Sequence, residues 1–187
     1  MGRVQSGVSP FSADQGGTPE SGFKFTVECL SVSISLVSMQ EADFERFARR
    51  ALQEYAAGMV AAGEWPPEQA SFQAAEVFRQ LLPQGRLSPH NHLWRALHAG
   101  RAVGELWIAE RQAGSRRIAF ILDLYIEPIE RRQGYARQTL LAGESLAREW
   151  GCDEMRLHVF GRNLEARRLY ELLGYEVASL TMSKPLP

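Results

Sequence analysis

The sequence has little of several features that would point to particular classes of protein. It contains two cysteines, Cys29 and Cys152, which lie far apart and have neither metal-binding nor redox spacing, so a secreted domain held by disulfides is not expected. No apolar run approaches the roughly 18 residues of a membrane-spanning helix, and the first residues lack the apolar core of a secretion signal. We therefore expect a soluble, cytoplasmic protein that has no membrane partner.

Charge of one sign is not in excess either. The 21 lysines and arginines are balanced by 22 aspartates and glutamates, which leaves a formal net charge of −1. This balance gives no bulk attraction for nucleic acid, so no nucleic-acid partner is expected and any anion site has to be local. Histidine is also scarce, and His90 and His92 have no convincing set of further ligands beside them. No metal site is predicted.

The 187 residues, of which 45% are hydrophobic, are enough for one good core and too few for a second full domain. Residues 1–24 are rich in glycine, serine and proline and poor in apolar side chains. Such a segment cannot compensate the entropy of ordering, and we expect a disordered N-terminal tail. Residues 25–187 are predicted to form a single domain.

The first half of that domain reads as one strand and two helices. Residues 30–36 alternate between apolar and polar side chains, which is typical of a half-buried strand. Ser38 and Glu41 have the spacing of a capping box and predict the start of a helix that stops near Gly63. A second helix is predicted between the prolines at 66 and 83.

The second half changes pattern. Residues 92–128 contain three strand-like runs separated by glycine-containing turns, which indicates an antiparallel meander. A helix follows the segment RRQGYA and ends at Gly151, a strand spans 154–160, a further helix runs from Asn163 to about Leu173, and a last strand is predicted over 175–186. The predicted fold class is α/β, with the order βααβββαβαβ and a mixed, mostly antiparallel sheet.

Two motifs stand out in this order. Arg131, Gly134 and Ala136 fill a pattern R/Q-x-x-G-x-G/A after the fourth strand. A second pattern, N-x-x-A-x-x-L-Y-E-x-x-G-F/Y, is filled by Asn163, Ala166, Leu169, Tyr170, Glu171, Gly174 and Tyr175. Together the motifs and their order resemble the GCN5-related N-acetyltransferase (GNAT) superfamily, in particular its small bacterial members. The resemblance extends over about residues 31–186 and implies the GNAT fold, with helices on both faces of the sheet.

The segment RRQGYA predicts an anion site on physical grounds. A strand that gives way to a helix exposes several backbone N–H groups at the positive end of the helix dipole. Gly134 lets the backbone approach a ligand closely, whereas no Gly-Lys-Ser/Thr follows that would indicate a nucleotide P-loop. The alternative is a solvated helix start in which Gly134 only makes a turn.

The resemblance implies that the anion is the pyrophosphate of coenzyme A and that acetyl-CoA is the co-substrate. It also implies that an open edge of the fourth strand pairs with the pantetheine arm. Arg132 and Arg137 can add charge-assisted bonds to phosphate oxygens. The cofactor-binding residues that follow from the resemblance are Leu124, Tyr125, Ile126, Arg131, Arg132, Gln133, Gly134, Tyr135, Ala136, Arg137 and Asn163.

Acyl transfer to an amine needs a base for the amine and an acid for the departing thiolate. The resemblance implies that Tyr170 is the acid, the alternative being a core aromatic residue. His158 is the first candidate for the base because its reference pKa is near 6.5, although it could equally be a hydrogen-bonded strand histidine. Asp123 and Glu105 are weaker candidates, and strand parity places Asp123 on the same face as Tyr125.

The implied function is N-acetyl transfer from acetyl-CoA to a primary amine, on a small molecule or a peptide N-terminus, by direct attack. The residues Glu54, Tyr55, Glu64, Trp65 and Glu68 would wall the acceptor pocket, unless Tyr55 is core and the glutamates are merely solvated. The alternative function is a catalytically silent acyl-CoA-binding module with a regulatory or scaffold role. A homodimer is left open.

Overall fold

The computed structural model describes residues 33–182, 184 and 186. The expected N-terminal tail and the predicted start of the domain at residue 25 lie outside these residues and stay predictions. The elements are β1 (Ser35–Ser38), α1 (Glu41–Ala61), α2 (Pro67–Leu81), β2 (Asn91–His98), β3 (Arg101–Ala113), β4 (Arg116–Ile126), α3 (Tyr135–Glu149), β5 (Glu154–Leu157) and α4 (Leu164–Leu172). Within this part of the chain, no helix is both long and apolar enough to cross a membrane.

The five strands form one sheet in the order β1-β2-β3-β4-β5. The first three pairings are antiparallel, and only β4 and β5 are parallel, joined through α3. The turn between β2 and β3 consists of Ala99 and Gly100, both with positive φ (49° and 78°), as the tightest hairpin turns require. The predicted meander and the mixed, mostly antiparallel sheet are confirmed.

Helices cover both faces of the sheet, because the central strands β2, β3 and β4 bury side chains in two directions. On one face Leu106, Ile108 and Ile121 pack against Leu140 of α3. On the other face Leu93 and Trp107 pack against Phe47 of α1, with α2 alongside. The predicted arrangement, with helices on both faces of the sheet, is therefore confirmed. The candidate site lies at the end of β4, where the two helix layers meet it.

The start of α1 differs from the prediction. The capping pair is Gln40 and Asp43, whose carboxylate accepts a hydrogen bond from the Gln40 backbone N–H at 3.2 Å. Ser38 cannot cap the helix because it still belongs to β1, where it pairs with Trp94. The carboxylate of Glu41 instead accepts a bond from Arg86 at 2.9 Å.

The prediction of a last strand over 175–186 is wrong for the residues of that range that the structure describes. After α4, residues 173–182, 184 and 186 contain no strand, so the observed order is βααβββαβα. Val177, Leu180 and Met182 are all exposed.

Strand β4 contains a bulge that shapes its second half. Asp123 pairs with Trp107 and Ile121 pairs with Ile108, so Leu122 is an extra residue on β4. As a result two successive side chains face the α1 side: Leu122 packs in the cluster around Phe47, and Asp123 bonds to α1. Pairing with β5 covers only Ile118–Ile121, so from Leu122 onward β4 is paired with β3 alone.

Candidate active site

The second half of β4 presents backbone groups at an open edge. The N–H of Glu127 donates to the carbonyl of Val103 at 3.0 Å. Tyr125, two residues earlier, pairs with Glu105, so its backbone groups also point towards β3. Antiparallel pairing alternates along a strand, so the backbone groups of Leu124 and Ile126 point away from β3. Of the three predicted pantetheine residues, Leu124 and Ile126 therefore present backbone groups at the open edge, and the backbone of Tyr125 pairs with β3.

A set of backbone donors lies at the start of α3. Gly134 precedes the helix with φ of 81°, and its carbonyl accepts the first helical bond, from Gln138 at 3.1 Å. The N–H groups of residues 135–137 come before that bond and have no acceptor within the described part of the chain. They converge at the positive end of the helix dipole, an arrangement that suits an anion. A Cβ on Gly134 would meet no atom within 4 Å, so the space above the loop is open.

Several side chains of the RRQGYA segment hold the loop in place. Arg131 donates from Nε to the carbonyl of Ile126 at 3.1 Å, which ties the loop to the end of β4. Gln133 lies 3.4 Å from the carboxylate of Glu130, and Tyr135 is buried against Val103 and Ile126. These contacts tie the loop to the end of β4 and to the core beneath it.

Glu130 itself is a supporting residue that sequence reasoning missed. Its side chain is almost fully buried and forms a two-pronged ion pair with Arg101 from β3. No local pattern marks a lone glutamate of this kind, because its partner lies 29 residues earlier. This ion pair ties the start of the loop to β3.

The remaining predicted cofactor residues lie on the surface. Arg132 forms an exposed ion pair with Glu165 at 3.2 Å, bridging the loop to α4, and Arg137 is exposed on the first turn of α3. Ala136 packs partly against the cluster around Tyr135. Asn163 caps α4, since its side-chain oxygen accepts a bond from the Ala166 N–H at 3.2 Å.

On the α1 side of β4 lies an ion cluster centred on Arg50. Its Nη2 donates to Glu105 Oε2 and to Asp123 Oδ2, each at 2.6 Å, and its Nη1 donates to Glu54 at 2.8 Å. The guanidinium also lies 4.1 Å from the ring centre of Tyr125. Sequence reasoning missed Arg50, because it stands 55 and 73 residues from the two strand carboxylates and belongs to no motif.

The electrostatics of this cluster favour a proton acceptor. Three carboxylates share one guanidinium, so the cluster keeps surplus negative charge. Burial raises the pKa of Asp123, although the charge of Arg50 opposes the shift. Burial also raises the pKa of Glu105, helped by the nearby charges of Asp123 and Glu127. Asp123 is therefore more basic than an ordinary aspartate.

Tyr170 lies on α4. It is half-buried, packs against the core on the α3 face, and its ring lies 5.7 Å from the ring of Tyr175. Burial and, to a smaller extent, the charge of Asp123 raise the pKa of Tyr170 to about 12. The hydroxyl group is therefore protonated at neutral pH.

His158 directly follows the last residue of β5. It is exposed, its ring meets that of Phe160 edge-on at 5.4 Å, and no side chain or backbone group in the described residues bonds to it. The loop that carries it rests on α1, where Arg162 donates to the carbonyl of Gly58 at 2.8 Å. The alternative of a hydrogen-bonded strand histidine is thus not what the structure contains.

The predicted acceptor wall is largely structural. Tyr55 and Trp65 pack edge-on at 5.3 Å, within the cluster that joins α1 to α2, and Glu64 and Glu68 are exposed. Only Glu54, through Arg50, joins the site. The alternative, in which Tyr55 packs in the core and the glutamates are solvated, therefore holds for Tyr55, Glu64 and Glu68, and Trp65 packs on Tyr55.

The histidines considered for metal binding have other contacts. His92 lies 2.9 Å from the carboxylate of Glu110 and stacks on Trp150 and Trp94, with ring centres 4.1 and 5.4 Å away. The residues that the structure describes contain no group of three or more histidine, cysteine or acidic side chains able to hold a metal ion.

Comparison with known proteins identifies the family. Residues 51–175 match the acetyltransferase (GNAT) family. The chain is 38% identical to the uncharacterized N-acetyltransferase YycN of Bacillus subtilis, over 83% of this chain and 100% of YycN, and 28% identical to YdgE of the same organism, over 83% of this chain and 99% of YdgE.

Solved structures agree with the sequence comparison. The crystal structure of YycN superposes with a TM-score of 0.78 and covers 83% of this chain and 99% of that one, at 38% identity. An aminoglycoside N-acetyltransferase, AAC(6')-Iy, solved in complex with CoA, shares the fold at 17% identity and a TM-score of 0.56, over 83% of this chain and 95% of its own. The chain therefore belongs to the acetyltransferase (GNAT) family.

Proposed function

We propose that this acetyltransferase moves the acetyl group of acetyl-CoA to a primary amine, on a small molecule or a peptide N-terminus, by direct attack. The observation that carries the proposal is the pairing of two donor sets: the open edge of β4 after Ile121 and the N–H groups at the start of α3. The first suits the amide groups of a pantetheine arm and the second suits a pyrophosphate. Arg132 and Arg137, exposed at the same helix start, add positive charge.

The proposed chemistry is a single acyl transfer. The neutral amine attacks the thioester carbonyl carbon, the carbon–sulfur bond breaks, and the acetyl group ends on nitrogen. The departing thiolate takes a proton from Tyr170, whose raised pKa keeps it protonated throughout the neutral range. A backbone N–H at the open edge of β4, from Leu124 or Ile126, would polarise the thioester carbonyl.

For the proton of the attacking amine we propose Asp123 as the acceptor, with His158 as the second candidate. Asp123 is partly buried, lies beside the open edge and has a raised pKa. His158 is exposed to solvent. By their reference pKa values, a carboxylate and an imidazole are both weak bases relative to a lysine amine.

This basicity favours an acceptor amine of low pKa. At pH 7 an amine with a reference pKa of ~10.4 is neutral in about one molecule in 2,500, whereas an α-amine near ~7.7 is neutral in about one in six. A weak base can deprotonate the α-amine far more readily than the amine of higher pKa. The surplus negative charge around Arg50 would also attract the protonated form of such an amine to the site.

The alternative, a silent acyl-CoA-binding module, needs the anion site and no proton-handling groups. The electrostatic coupling of Tyr170 and Asp123 favours the enzyme. Release of free thiol from acetyl-CoA, measured across a panel of α-amines, lysine-like amines and short peptides, tests the choice. We expect turnover with α-amines. Acetyl-CoA binding by calorimetry without turnover on any amine would support the silent module, and no binding at millimolar ligand would contradict both.

Two variants separate the candidate bases. Asp123→Asn is expected to lower kcat/KM by about 100-fold or more, because the amide cannot accept the proton, while acetyl-CoA affinity changes little. His158→Ala is expected to leave kcat/KM within about threefold of the parent at every pH from 6 to 9. If the His158 variant lost activity mainly at pH 6 to 7 and the Asp123 variant did not, the assignment would be reversed.

A further inference from the structure

Arg50 joins three elements at a point that the proposed chemistry uses. It projects from α1 and bonds to Glu105 on β3 and Asp123 on β4. All three side chains are mostly buried, with 17%, 16% and 21% of their surface exposed. Water therefore screens these charges weakly, and each group strongly affects the ionisation of the others.

The two strand carboxylates are held close together. Glu105 Oε2 and Asp123 Oδ2 each lie 2.6 Å from the same Arg50 nitrogen, so the two oxygens cannot be farther apart than twice that distance. Two carboxylates at such a spacing repel each other, and one of them takes up a proton readily unless a cation lies between them. Arg50 is that cation.

Other groups around Asp123 add negative rather than positive charge. Glu54 on α1 faces the cluster through Arg50, Glu127 directly after β4 affects the pKa of Glu105, and Tyr170 on α4 is neutral in the working pH range. The second guanidinium in the neighbourhood, that of Arg131, lies 5.9 Å from the ring of Tyr125 and is bonded to the Ile126 carbonyl. Within the described residues, Arg50 is the only basic side chain that bonds to either strand carboxylate.

We propose that Arg50 is a positioning residue for acetyl transfer, which keeps Asp123 ionised and fixed on the α1 side of β4 by offsetting the repulsion between Asp123 and Glu105. The inference rests on the proposed role of Asp123 as proton acceptor. Arg50 makes no contact with substrate in this scheme. It acts through the carboxylate, and the planar guanidinium is suited to the task because one group reaches two acceptors while stacking on Tyr125.

Loss of the Arg50 guanidinium is expected to change the pH dependence of kcat/KM in a definite direction. Without the guanidinium, the two carboxylates and Glu54 face each other unneutralised, and the pair holds a proton up to a higher pH. Asp123 is then protonated in a larger fraction of molecules at neutral pH and cannot accept the amine proton. The acid limb of kcat/KM must move to higher pH, and activity must return as pH rises through the new limb.

The test compares Arg50→Gln, Arg50→Lys and a matched control, Arg49→Gln, which makes the same chemical change one residue earlier on the same helix at an exposed position. We expect Arg50→Gln to move the acid limb of kcat/KM to higher pH by about one unit or more, which lowers kcat/KM about tenfold per unit at pH values below the parent's limb, with the loss shrinking towards pH 9. Arg50→Lys keeps the positive charge but loses the planar guanidinium that reaches both carboxylates. It should shift the acid limb of kcat/KM in the same direction by a smaller amount. Arg49→Gln should match the parent.

A second readout separates this inference from the proposed function. Titration of the Asp123 carboxylate by carbon NMR, with the signal assigned through Asp123→Asn, should show a higher midpoint in the Arg50 variants than in the parent and in Arg49→Gln. If the parent acetylates no amine, the proposed function fails, but this titration still reports on Arg50. Parallel pH profiles for the Arg50 variants and the parent, or an unshifted carboxylate titration, would overturn the inference. If Arg50→Gln does not fold, Arg50→Lys alone decides between these outcomes.

Discussion

Gly134 offers a sharp test of the anion site, because the chain contains a glycine that matches it in everything except position. Gly134 has φ of 81° and Gly100, in the turn between β2 and β3, has φ of 78°. A Cβ added at either would meet nothing within 4 Å. Alanine at either position would therefore cause no steric clash. Its cost is that of placing a residue with a Cβ in the left-handed backbone region, about 1–2 kcal/mol.

The two substitutions should therefore be equal in stability and unequal in binding. For a domain of this size, 1–2 kcal/mol corresponds to a fall in Tm of roughly 2–8 °C, and both Gly134→Ala and Gly100→Ala should show it. Only Gly134→Ala places a methyl group where the pyrophosphate approaches the N–H groups of residues 135–137. Loss of one charge-assisted hydrogen bond, about 1.5–3 kcal/mol, would weaken acetyl-CoA binding by roughly 10- to 150-fold.

The measurements are thermal unfolding without ligand and calorimetric titration with acetyl-CoA, on the parent and both variants. The expected result is similar Tm values for the two variants and a large loss of affinity for Gly134→Ala alone, enlarged further in Gly134→Val. Equal acetyl-CoA affinity in Gly134→Ala and Gly100→Ala would refute the reasoning, because it would show that the loop before α3 does not approach the ligand.

Two further predictions concern the acid and the open strand edge. Tyr170→Phe keeps the ring packing and removes the hydroxyl, so steady-state kinetics should show kcat lowered by roughly 100-fold with little change in acetyl-CoA affinity; a kcat within about threefold of the parent would make the tyrosine structural. Gly104→Ala would press a Cβ onto the backbone oxygen of Tyr125, and we expect a loss of about 1–3 kcal/mol in unfolding free energy together with weaker acetyl-CoA binding. Gly161→Ala, where a Cβ meets nothing within 4 Å, is the control, and equal stability of these two variants would contradict the prediction.

Local patterns predicted the elements and the loop well, because the forces involved act over a few residues. Gly134, followed by a helical pattern, specifies the turn into α3 at the residue where the structure has it. The prolines that open α2 and the glycine that ends α3 are equally local signals. The motif containing Tyr170 also fixes which face of α4 meets the core.

The supporting residues could not be predicted, because each depends on partners that are distant in sequence. Arg50 and its two strand carboxylates come from three elements, and the sequence shows only an arginine on a helix surface. Tyr55 and Trp65 have a composition that suits a cationic ligand, yet they pack on each other. A pattern shows which side chains are present and does not show which neighbour they find in the fold.

The bulge at Leu122 gives β4 one residue more than regular pairing with β3 needs. Ile121 pairs with Ile108 and Asp123 pairs with Trp107, so a chain without Leu122 could keep both pairings as neighbours in a regular ladder, with Asp123 and Tyr125 still on the α1 side. The extra residue therefore does not decide which face carries the reactive side chains. It adds local twist to β4 at the point where the pairing with β5 ends, so its deletion is expected to narrow the opening beside β4 while leaving the orientation of the site residues unchanged.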